Sequence, residues 1–179
     1  MKFGHLVSRT TSLWIVIAVI SGCAGATSEP DTMGDFSIYL VKQGVSAQQM
    51  MKMDLSQLEL DRSPILSDAD IVTYTWETHE IELTEPARER VARLEVPMPT
   101  GVPFVVCVGD ERIYGGAFWV SSSSMSFQGI VIDTLFAKMD DHPIRIQLGY
   151  PESPERFEGE DLRSDPRILR SLTGSGKLW

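Results

Sequence analysis

The sequence predicts an α+β fold, a single small domain in which a mixed or antiparallel sheet packs against one or two helices. The first observation is residues 104–108, FVVCV, an uninterrupted apolar run typical of a central strand. The second is a Gly-Asp-Glu turn at 109–111 that leads into another strand at 112–120, so a hairpin is predicted. The third is residues 80–84, where apolar and polar side chains alternate as in a half-buried strand.

A helix is predicted directly after the strand at 80–84. Thr84 stands at the N-cap position and Pro86 falls in the first turn, which a helix start tolerates. Ala87, Val91 and Leu94 recur at helical spacing, so one side of this helix is expected to pack on the sheet. The prolines of the following segment, VPMPTGVP, end the helix.

The remaining elements are predicted from shorter patterns. Strands are expected at 35–43, 129–133 and 144–150, where β-branched and aromatic residues are frequent. Ser67 followed by two aspartates predicts a short helix from about residue 68. The segment SAQQMM is interpreted as a short helix and the later QLELD as a strand. Near the end, Ser164 is expected to cap one or two helical turns, with TGSGKLW as a loose end.

These patterns divide the chain into four parts. Residues 1–22 are predicted to be a signal peptide and 23–34 a lipidated cysteine with a flexible tether. The globular α+β domain is expected at 35–150. Residues 151–179 are rich in proline and charge and are interpreted as a polar C-terminal extension.

The N-terminal segment has the composition of an export signal. Lys2 and Arg9 carry positive charge, and residues 13–20 are an apolar run much shorter than the roughly 20 residues that a membrane-spanning helix needs. The run ends in Ile20-Ser21-Gly22-Cys23, which resembles the lipobox of bacterial lipoproteins. The resemblance implies cleavage before Cys23 and acylation of that residue. The alternative is an ordinary secretory signal whose small-residue cleavage site holds a cysteine.

The same resemblance implies a location. Ala24 follows the cysteine, whereas in enteric bacteria an aspartate there retains a lipoprotein in the inner membrane. The resemblance therefore implies the outer membrane rather than the inner one, with the domain facing the periplasm. The eleven residues 24–34 are small and polar and span about 20 Å on average, which keeps the domain close to the lipid surface.

Composition limits the function classes. The chain carries 16 basic and 25 acidic residues, and loss of Lys2 and Arg9 with the signal leaves a net charge of −11. An acidic surface repels phosphates, so neither nucleic acid nor anionic lipid heads are predicted as ligands. No dinucleotide or phosphate-loop fingerprint is present, and no cofactor is predicted. Apart from Cys23 the only cysteine is Cys107, which is interpreted as a small apolar residue of a buried strand.

Part of the chain resembles a known export component. The segments SPILSDADI, HEIELTEPARERVARL and GVPFVVCVGDERIYGGAF are similar in order to the periplasmic head region of the SecD export subunit. The resemblance covers roughly 60 residues and implies a sheet-with-helix head that touches other polypeptides. The multi-spanning membrane segments and proton-conducting machinery of that family have no counterpart in this sequence. No catalytic residue is therefore carried over.

The serine loop and a later Asp and His together contain the residue types of a catalytic triad. The serines at 121–124 together with His142 and Asp140 contain the groups of a serine hydrolase, although the Gly-x-Ser-x-Gly motif is missing. If this arrangement were real, alanine at His142 would abolish ester turnover and leave the fold intact. The preferred interpretation is a polar loop between strands.

Two candidate metal sites are also present. The segment MDDH at 139–142 offers carboxylates and an imidazole, but adjacent residues rarely converge on one ion, and a solvated turn is preferred. Met50, Met51 and Met53 carry thioethers that bind Cu(I). No His or Cys lies beside them in the sequence, so a packing or partner-surface role is preferred and no metal site is predicted.

The best candidate contact surface lies around a pair of glycines in the second hairpin strand. Glycines in mid-strand mark a bulge or the close approach of another backbone. Buried, the surrounding aromatics are core, which is the first interpretation. Partly exposed, they form a partner-binding patch, and in that interpretation Trp76 and His79 are added to the same surface. The candidate contact residues are Tyr114, Gly115, Gly116, Phe118, Trp119 and Phe127.

The sequence therefore predicts a membrane-anchored envelope lipoprotein that acts as a non-catalytic binding or accessory module for another envelope protein. Two alternatives remain. One is a serine-type hydrolase that uses the loop 121–124 with His142. The other is a lipid-anchored inhibitor in which the loop 121–128 enters the cleft of a periplasmic hydrolase.

Overall fold

Eight strands and four α-helices make up the part of the chain described by a computed structural model, which is residues 1, 34–42, 44–139, 142–157 and 159–179. The strands are β1 (Phe36–Leu40), β2 (Leu66–Ser67), β3 (Ile71–Thr75), β4 (Glu80–Leu83), β5 (Val102–Val108), β6 (Glu111–Trp119), β7 (Phe127–Asp133) and β8 (Ile144–Tyr150). The helices are α1 (Ala47–Met50), α2 (Glu85–Ala92), α3 (Thr134–Ala137) and α4 (Pro166–Gly174). None of these helices is long and apolar enough to span a bilayer. The predicted signal, Cys23 and nearly all of the tether lie outside the described residues.

The strands form one mixed sheet in the order β2-β1-β5-β6-β7-β8-β4-β3. Neighbouring strands run antiparallel except β6 and β7, which run parallel, with Gly116 opposite Ile130 and Trp119 opposite Asp133. The predicted α+β class and mixed sheet are confirmed, with more strands than the sequence patterns indicated.

The predicted central hairpin is β5 and β6. They pair from Val102 opposite Phe118 to Val108 opposite Glu111, with a register shift after Val106. Gly109 has a φ of 57°, a left-handed conformation that glycine adopts without a steric cost, so the turn can be tight. The predictions of β1, β4, β7, β8 and α2 are confirmed as well.

The core lies on both faces of the sheet. In β5, Phe104 and Val106 belong to the main cluster, whereas Val105 and Cys107 belong to a smaller cluster that includes Met50. This alternation follows from the period of two in an extended strand. Cys107 is 3% exposed, as expected of a small apolar residue in a buried strand, and its burial raises the pKa of the thiol.

Two local predictions are corrected. The helix expected from residue 68 is a single 3-10 turn, Asp68–Asp70, which is followed at once by β3. The chain extends there because Ile71, Val72 and Thr73 are β-branched and favour a strand. The strand expected in QLELD is reduced to an isolated bridge between Val41 and Leu60.

The predicted polar extension at 151–179 is also corrected, because it is part of the fold. Asp165, not Ser164, caps α4, accepting a hydrogen bond from the Arg167 N–H at 2.8 Å. Ile168 and Leu172, one turn apart, are fully buried in the main cluster. After the helix, residues 177–179 run along the outer edge of β3. The Tyr74 N–H donates to the Lys177 carbonyl at 2.8 Å, and the Trp179 N–H donates to the Tyr74 carbonyl at 3.0 Å.

Because α4 contributes to the core, Ile168→Val is expected to lower the free energy of unfolding by about 1 kcal/mol, the usual cost of one buried methylene. Arg170→Ala is the matched control on the exposed side of α4 and is expected to change it by less than about 0.5 kcal/mol. Urea denaturation followed by tryptophan fluorescence measures both. Equal values for the two variants would contradict the packing of α4.

Candidate functional site

The serine loop at 120–126 is the crossover that joins the end of β6 to the start of the parallel strand β7. The Ser121 hydroxyl donates to the Asp133 carboxylate, and the Tyr150 hydroxyl donates to the Ser121 carbonyl at 2.5 Å. The Ser122 hydroxyl contacts Met98 Sδ at 3.6 Å, and Ser123 Oγ accepts from the Met125 N–H at 3.2 Å. These bonds hold the loop across the end of the sheet.

The other members of the predicted hydrolase set are His142 and Asp140. The His142 carbonyl accepts a hydrogen bond from Arg88 Nη1 at 2.6 Å, and Asp140 lies outside the described residues. Asp133, which the sequence patterns did not single out, accepts the hydrogen bond from the Ser121 hydroxyl. It also caps α3 by accepting a hydrogen bond from the Leu135 N–H at 2.9 Å. Burial raises the pKa of Asp133. These contacts give the loop a structural role, and the hydrolase arrangement stays a prediction.

The predicted aromatic contact residues are core residues. Tyr114, Phe118, Trp119 and Phe127 are each at most 4% exposed. Trp119 stacks on Phe127 with ring centroids 5.3 Å apart, whereas Tyr114 and Phe118 belong to the main cluster on the other face. Their aromatic rings therefore do not form a surface patch, which corresponds to the first of the two interpretations.

The two glycines of β6 face opposite sides of the sheet. A Cβ on Gly116 would lie 2.4 Å from the Phe104 ring, inside the main core. A Cβ on Gly115 would lie 3.0 Å from the Sδ of Met50. Of the predicted contact set, Tyr114 and Gly115 line a cavity that also contains the methionines.

This cavity, the methionine cleft, has a volume of about 200 Å³. It lies beside the first half of β6, which is not paired with β7, because the pairing of these two strands begins at Gly116. The first half of β6 is flanked there by the 3-10 turns Leu55–Gln57 and Leu162–Ser164. The cleft is lined by Met50, Met51, Met53, Leu55, Ile113, Tyr114, Gly115, Ile130, Phe157, Gly159, Glu160 and Leu162.

Local sequence fixes the methionines at this position. Ser46 and Gln49 cap α1 reciprocally: the Gln49 N–H donates to the Ser46 hydroxyl at 3.3 Å, and the Ser46 N–H donates to the Gln49 side chain at 2.9 Å. Met50 is 2% exposed at the inner end of the cleft, whereas Met51 and Met53 are 40% and 38% exposed. The helix α1 ends at Met50, and the thioethers of Met51 and Met53, which follow it, are partly exposed.

The segment after the methionines is anchored to β6. Asp54 accepts from the Ser56 N–H at 2.8 Å and so caps the turn Leu55–Gln57. The Arg112 guanidinium donates to the carbonyls of Leu55 and Leu58, the latter at 2.9 Å. One wall of the cleft is therefore held in place by hydrogen bonds from Arg112 to main-chain carbonyls as well as by packing.

The chemistry of the cleft is that of an apolar site. Its lining is mostly aliphatic, aromatic and thioether, with Glu160 as the carboxylate at the surface. The Tyr114 hydroxyl is buried, and among the described residues it has no hydrogen-bond partner. Concave apolar surfaces of this kind bind apolar groups, and methionine adapts its shape to what it contacts.

A second group of polar side chains, centred on His79, is buried on the inner face of β3 and β4. The Tyr74 hydroxyl lies 3.0 Å from His79 Nδ1, and the Ser164 hydroxyl lies 3.5 Å from Nε2. Arg163 pairs with Asp161 at 2.8 Å and donates to the Ile146 carbonyl. His79 is 6% exposed, and burial, followed by the nearby Arg163, lowers its pKa to about 4 although Asp161 acts in the other direction.

The His79 network is a structural one at neutral pH. The imidazole is neutral there and is enclosed by Tyr74 and Trp76, whose rings lie 6.1 and 5.8 Å from it. His79 has a φ of 55°, which places its ring inward at a position that most residues avoid. The predicted addition of His79 to a contact surface is therefore corrected, because its side chain is buried.

A larger concavity of about 800 Å³ lies on the exposed face of β3 and β4. It is lined by Thr73, Thr75, Glu80, Glu82, Leu83, Glu85, Arg88, Pro143 and Trp179. Polar and charged side chains form most of its wall, as on any solvated strand pair, so its size alone does not indicate a site. In the described part of the chain, no group of three or more His, Cys, Asp or Glu side chains is placed to hold a metal ion.

Sequence reasoning identified some cleft residues and missed others. The methionines, Tyr114 and Gly115 were singled out separately, but nothing in their patterns placed them together. Phe157, Glu160 and Leu162 were missed because they belong to a segment interpreted as a polar extension. The apolar pair Phe157 and Leu162 was the available signal there.

The lipobox and the resemblance to the SecD head stay predictions. Comparison with models of known families, with curated proteins and with solved structures found no match to this chain.

Proposed function

We propose that this chain is a lipid-anchored, non-catalytic binding module of the bacterial envelope, which takes an apolar side chain of a partner protein into the methionine cleft. The observation that carries the proposal is the cleft itself. It is a concave apolar surface with Met51 and Met53 at its mouth, 40% and 38% exposed.

Methionine suits this role because its unbranched side chain repacks around different shapes at little cost. Gly115 on the cleft floor lets the Met50 side chain lie directly against the backbone of β6. An apolar partner group entering the cleft removes the exposed thioethers from water, which favours binding by about 25 cal/mol per Å² of apolar surface.

The anchor defines where the partner is sought. Acylation at Cys23 holds the chain on a membrane, and the tether keeps the domain within about 20 Å of it. The net charge of −11 after signal removal disfavours nucleic acid as the partner. A second envelope protein fits these conditions.

The contacts of three side chains of reactive types support a non-catalytic role. Ser121 is bonded to Asp133, Cys107 is buried with a raised pKa, and His79 is enclosed by aromatic rings. A nucleophile needs an adjacent base and an accessible position. These three groups are instead used in the core and in the crossover loop.

The test is a pull-down of the lipidated protein from detergent-solubilised envelopes, repeated with Met51→Glu/Met53→Glu. Both residues are exposed, so the fold is expected to persist, whereas two carboxylates at the cleft mouth repel an apolar group. Partner recovery is expected to fall at least about tenfold, the effect of about 1.4 kcal/mol. Met125→Glu is the matched control, since Met125 is 49% exposed on the serine loop.

The outcomes separate the alternatives. Full recovery with the doubly charged cleft would contradict the proposed site. Loss with Met125→Glu instead would favour the inhibitor alternative, in which the loop 121–128 contacts a hydrolase. Cys23→Ala tests the anchor separately, since the unlipidated chain is expected to be recovered without the membrane fraction.

A further inference from the structure

We propose that Met50, Met51 and Met53 form a binding site for a soft monovalent metal ion, Cu(I). This site goes beyond the proposed partner binding and does not depend on it. It uses the sulfur atoms of the methionine cleft, whereas partner binding uses the apolar shape of the same residues.

The backbone brings two of the sulfur atoms together. Met50 Sδ lies 3.0 Å from the position that a Cβ on Gly115 would occupy, and Met51 Sδ lies 2.7 Å from the equivalent position at Gly129. Gly116 and Ile130 are the first pair of the parallel ladder, so Gly115 and Gly129 directly precede that pair on the two strands. Both sulfurs therefore lie beside bare backbone at the start of this ladder.

Met53 adds a third methionine to the lining of the same cleft. The three residues belong to one short segment that is capped before and after. A helix end followed by a turn allows consecutive side chains to reach one cleft, which a continuous helix would direct to different sides.

Thioether donors select for the ion. Sulfur in this form is neutral and soft, so it prefers Cu(I) and the similar Ag(I) to hard cations such as Mg²⁺ or Ca²⁺, which require several oxygen ligands. A cation in an apolar cleft requires a compensating charge, and the Glu160 carboxylate lies in the lining. Because a thioether has no proton to lose, binding is expected to be independent of pH near neutrality.

The cleft also provides a path for the ion. Met51 and Met53 are partly exposed at its mouth, and Met50 is 2% exposed at the inner end. An ion can thus be captured by the outer pair and then held by the inner sulfur. The reaction is ligand exchange only: the thioether sulfurs replace water or a neutral ligand on Cu(I), which leaves unchanged, and no proton or electron is transferred.

The experiment is a titration of the full chain in detergent with Ag(I), and with Cu(I) under anaerobic conditions in competition with a chromogenic chelator. One ion per chain is expected to bind. Met51→Leu/Met53→Leu keeps the apolar volume and removes two sulfurs, and it is expected to weaken binding at least about tenfold. Met125→Leu/Met139→Leu is the matched control, since these methionines are 49% and 41% exposed outside the cleft.

Cys107 is excluded as the ligand by a second control. Cys107→Ser is expected to bind the ion with unchanged affinity at about pH 6 and pH 8. The site is overturned if no ion binds, if the cleft and control variants bind alike, or if Cys107→Ser loses binding. Partner recovery with Met51→Leu/Met53→Leu is expected to persist because the cleft stays apolar, so failure of the metal site and failure of the proposed function give different results.

Discussion

Gly116→Ala is expected to lower the free energy of unfolding by about 3 kcal/mol. The new Cβ would lie 2.4 Å from the Phe104 ring and 2.9 Å from the Ile130 carbonyl oxygen. Ile130 is the residue opposite Gly116 in the parallel ladder, so the methyl group cannot be accommodated by a side-chain rotation alone. Either the ring of Phe104 or the pairing of β6 with β7 must shift, and the core there is fully buried.

The adjacent Gly115→Ala provides the matched control. Its Cβ would meet the Sδ and Cε of Met50 at 3.0 Å and Leu55 Cδ2 at 3.3 Å, which are ends of flexible side chains. The change is expected to stay below about 1 kcal/mol, since methionine repacks easily and alanine restricts the unfolded chain. Urea denaturation of both variants measures the difference. If the two variants lost equal stability, the opposite placement of the two glycines would be contradicted.

The strands at the centre of the sheet were predictable because local patterns determine them. The run at 104–108 with its glycine turn, and the alternation at 80–84, require no knowledge of the rest of the chain. The helix α2 was predictable for the same reason, since its cap position, proline and apolar spacing lie within ten residues. The class of the fold follows from these elements.

The elements that were mispredicted depend on distant contacts. The cap signal at Ser67 is real, because Ser67 and Asp70 hydrogen-bond each other, but it closes only one turn before β3 begins. Pairing with β4 overrides the helical signal there. The segment 151–179 has few apolar residues, yet two of them, Ile168 and Leu172, fill the main cluster. Their importance comes from the site they occupy, not from local composition.

The methionine cleft could not be predicted because three separate parts of the chain form it. Met50 is the last residue of α1, Gly115 lies in β6, and Leu162 belongs to the turn before α4. They meet because β6 and β7 run parallel and pair along only half of β6. A parallel pair joined by a short serine crossover has no sequence signature that distinguishes it from an antiparallel hairpin.

Acidification from about pH 7 to pH 4 is expected to lower the free energy of unfolding by about 2 to 3 kcal/mol through His79 alone. In the folded state its pKa is about 4, because the buried imidazole next to Arg163 resists protonation, whereas its ordinary value is 6.5. For each pH unit between these two pKa values, the free energy of unfolding changes by about 1.4 kcal/mol. The unfolded chain therefore takes up the proton first. The contribution of His79 is complete above about pH 6.5 and is lost as the pH falls toward 4.

Other carboxyl groups of the domain titrate outside this window or in the opposite direction. Asp161 and Asp70 have lowered pKa values and lose their contribution only below the ordinary carboxyl range, whereas the raised pKa of Asp133 favours the folded state as the pH falls. A comparison with His79→Asn removes these effects, since they are common to both proteins. Asparagine tolerates the left-handed backbone at this position and keeps a polar group toward the Tyr74 hydroxyl.

Urea denaturation of both proteins at several pH values between about 7 and 4 measures the effect. The stability of the native chain is expected to fall relative to that of His79→Asn, with most of the change between about pH 6 and pH 4.5. Parallel curves would show that the imidazole takes up its proton without cost in the folded state, which is incompatible with a ring enclosed by Tyr74, Trp76 and Arg163. If the stability of the native chain falls toward that of His79→Asn as the pH is lowered, the acid sensitivity of the domain is assigned to one buried side chain. That side chain lies in the turn between β3 and β4, next to the strand that pairs with residues 177–179.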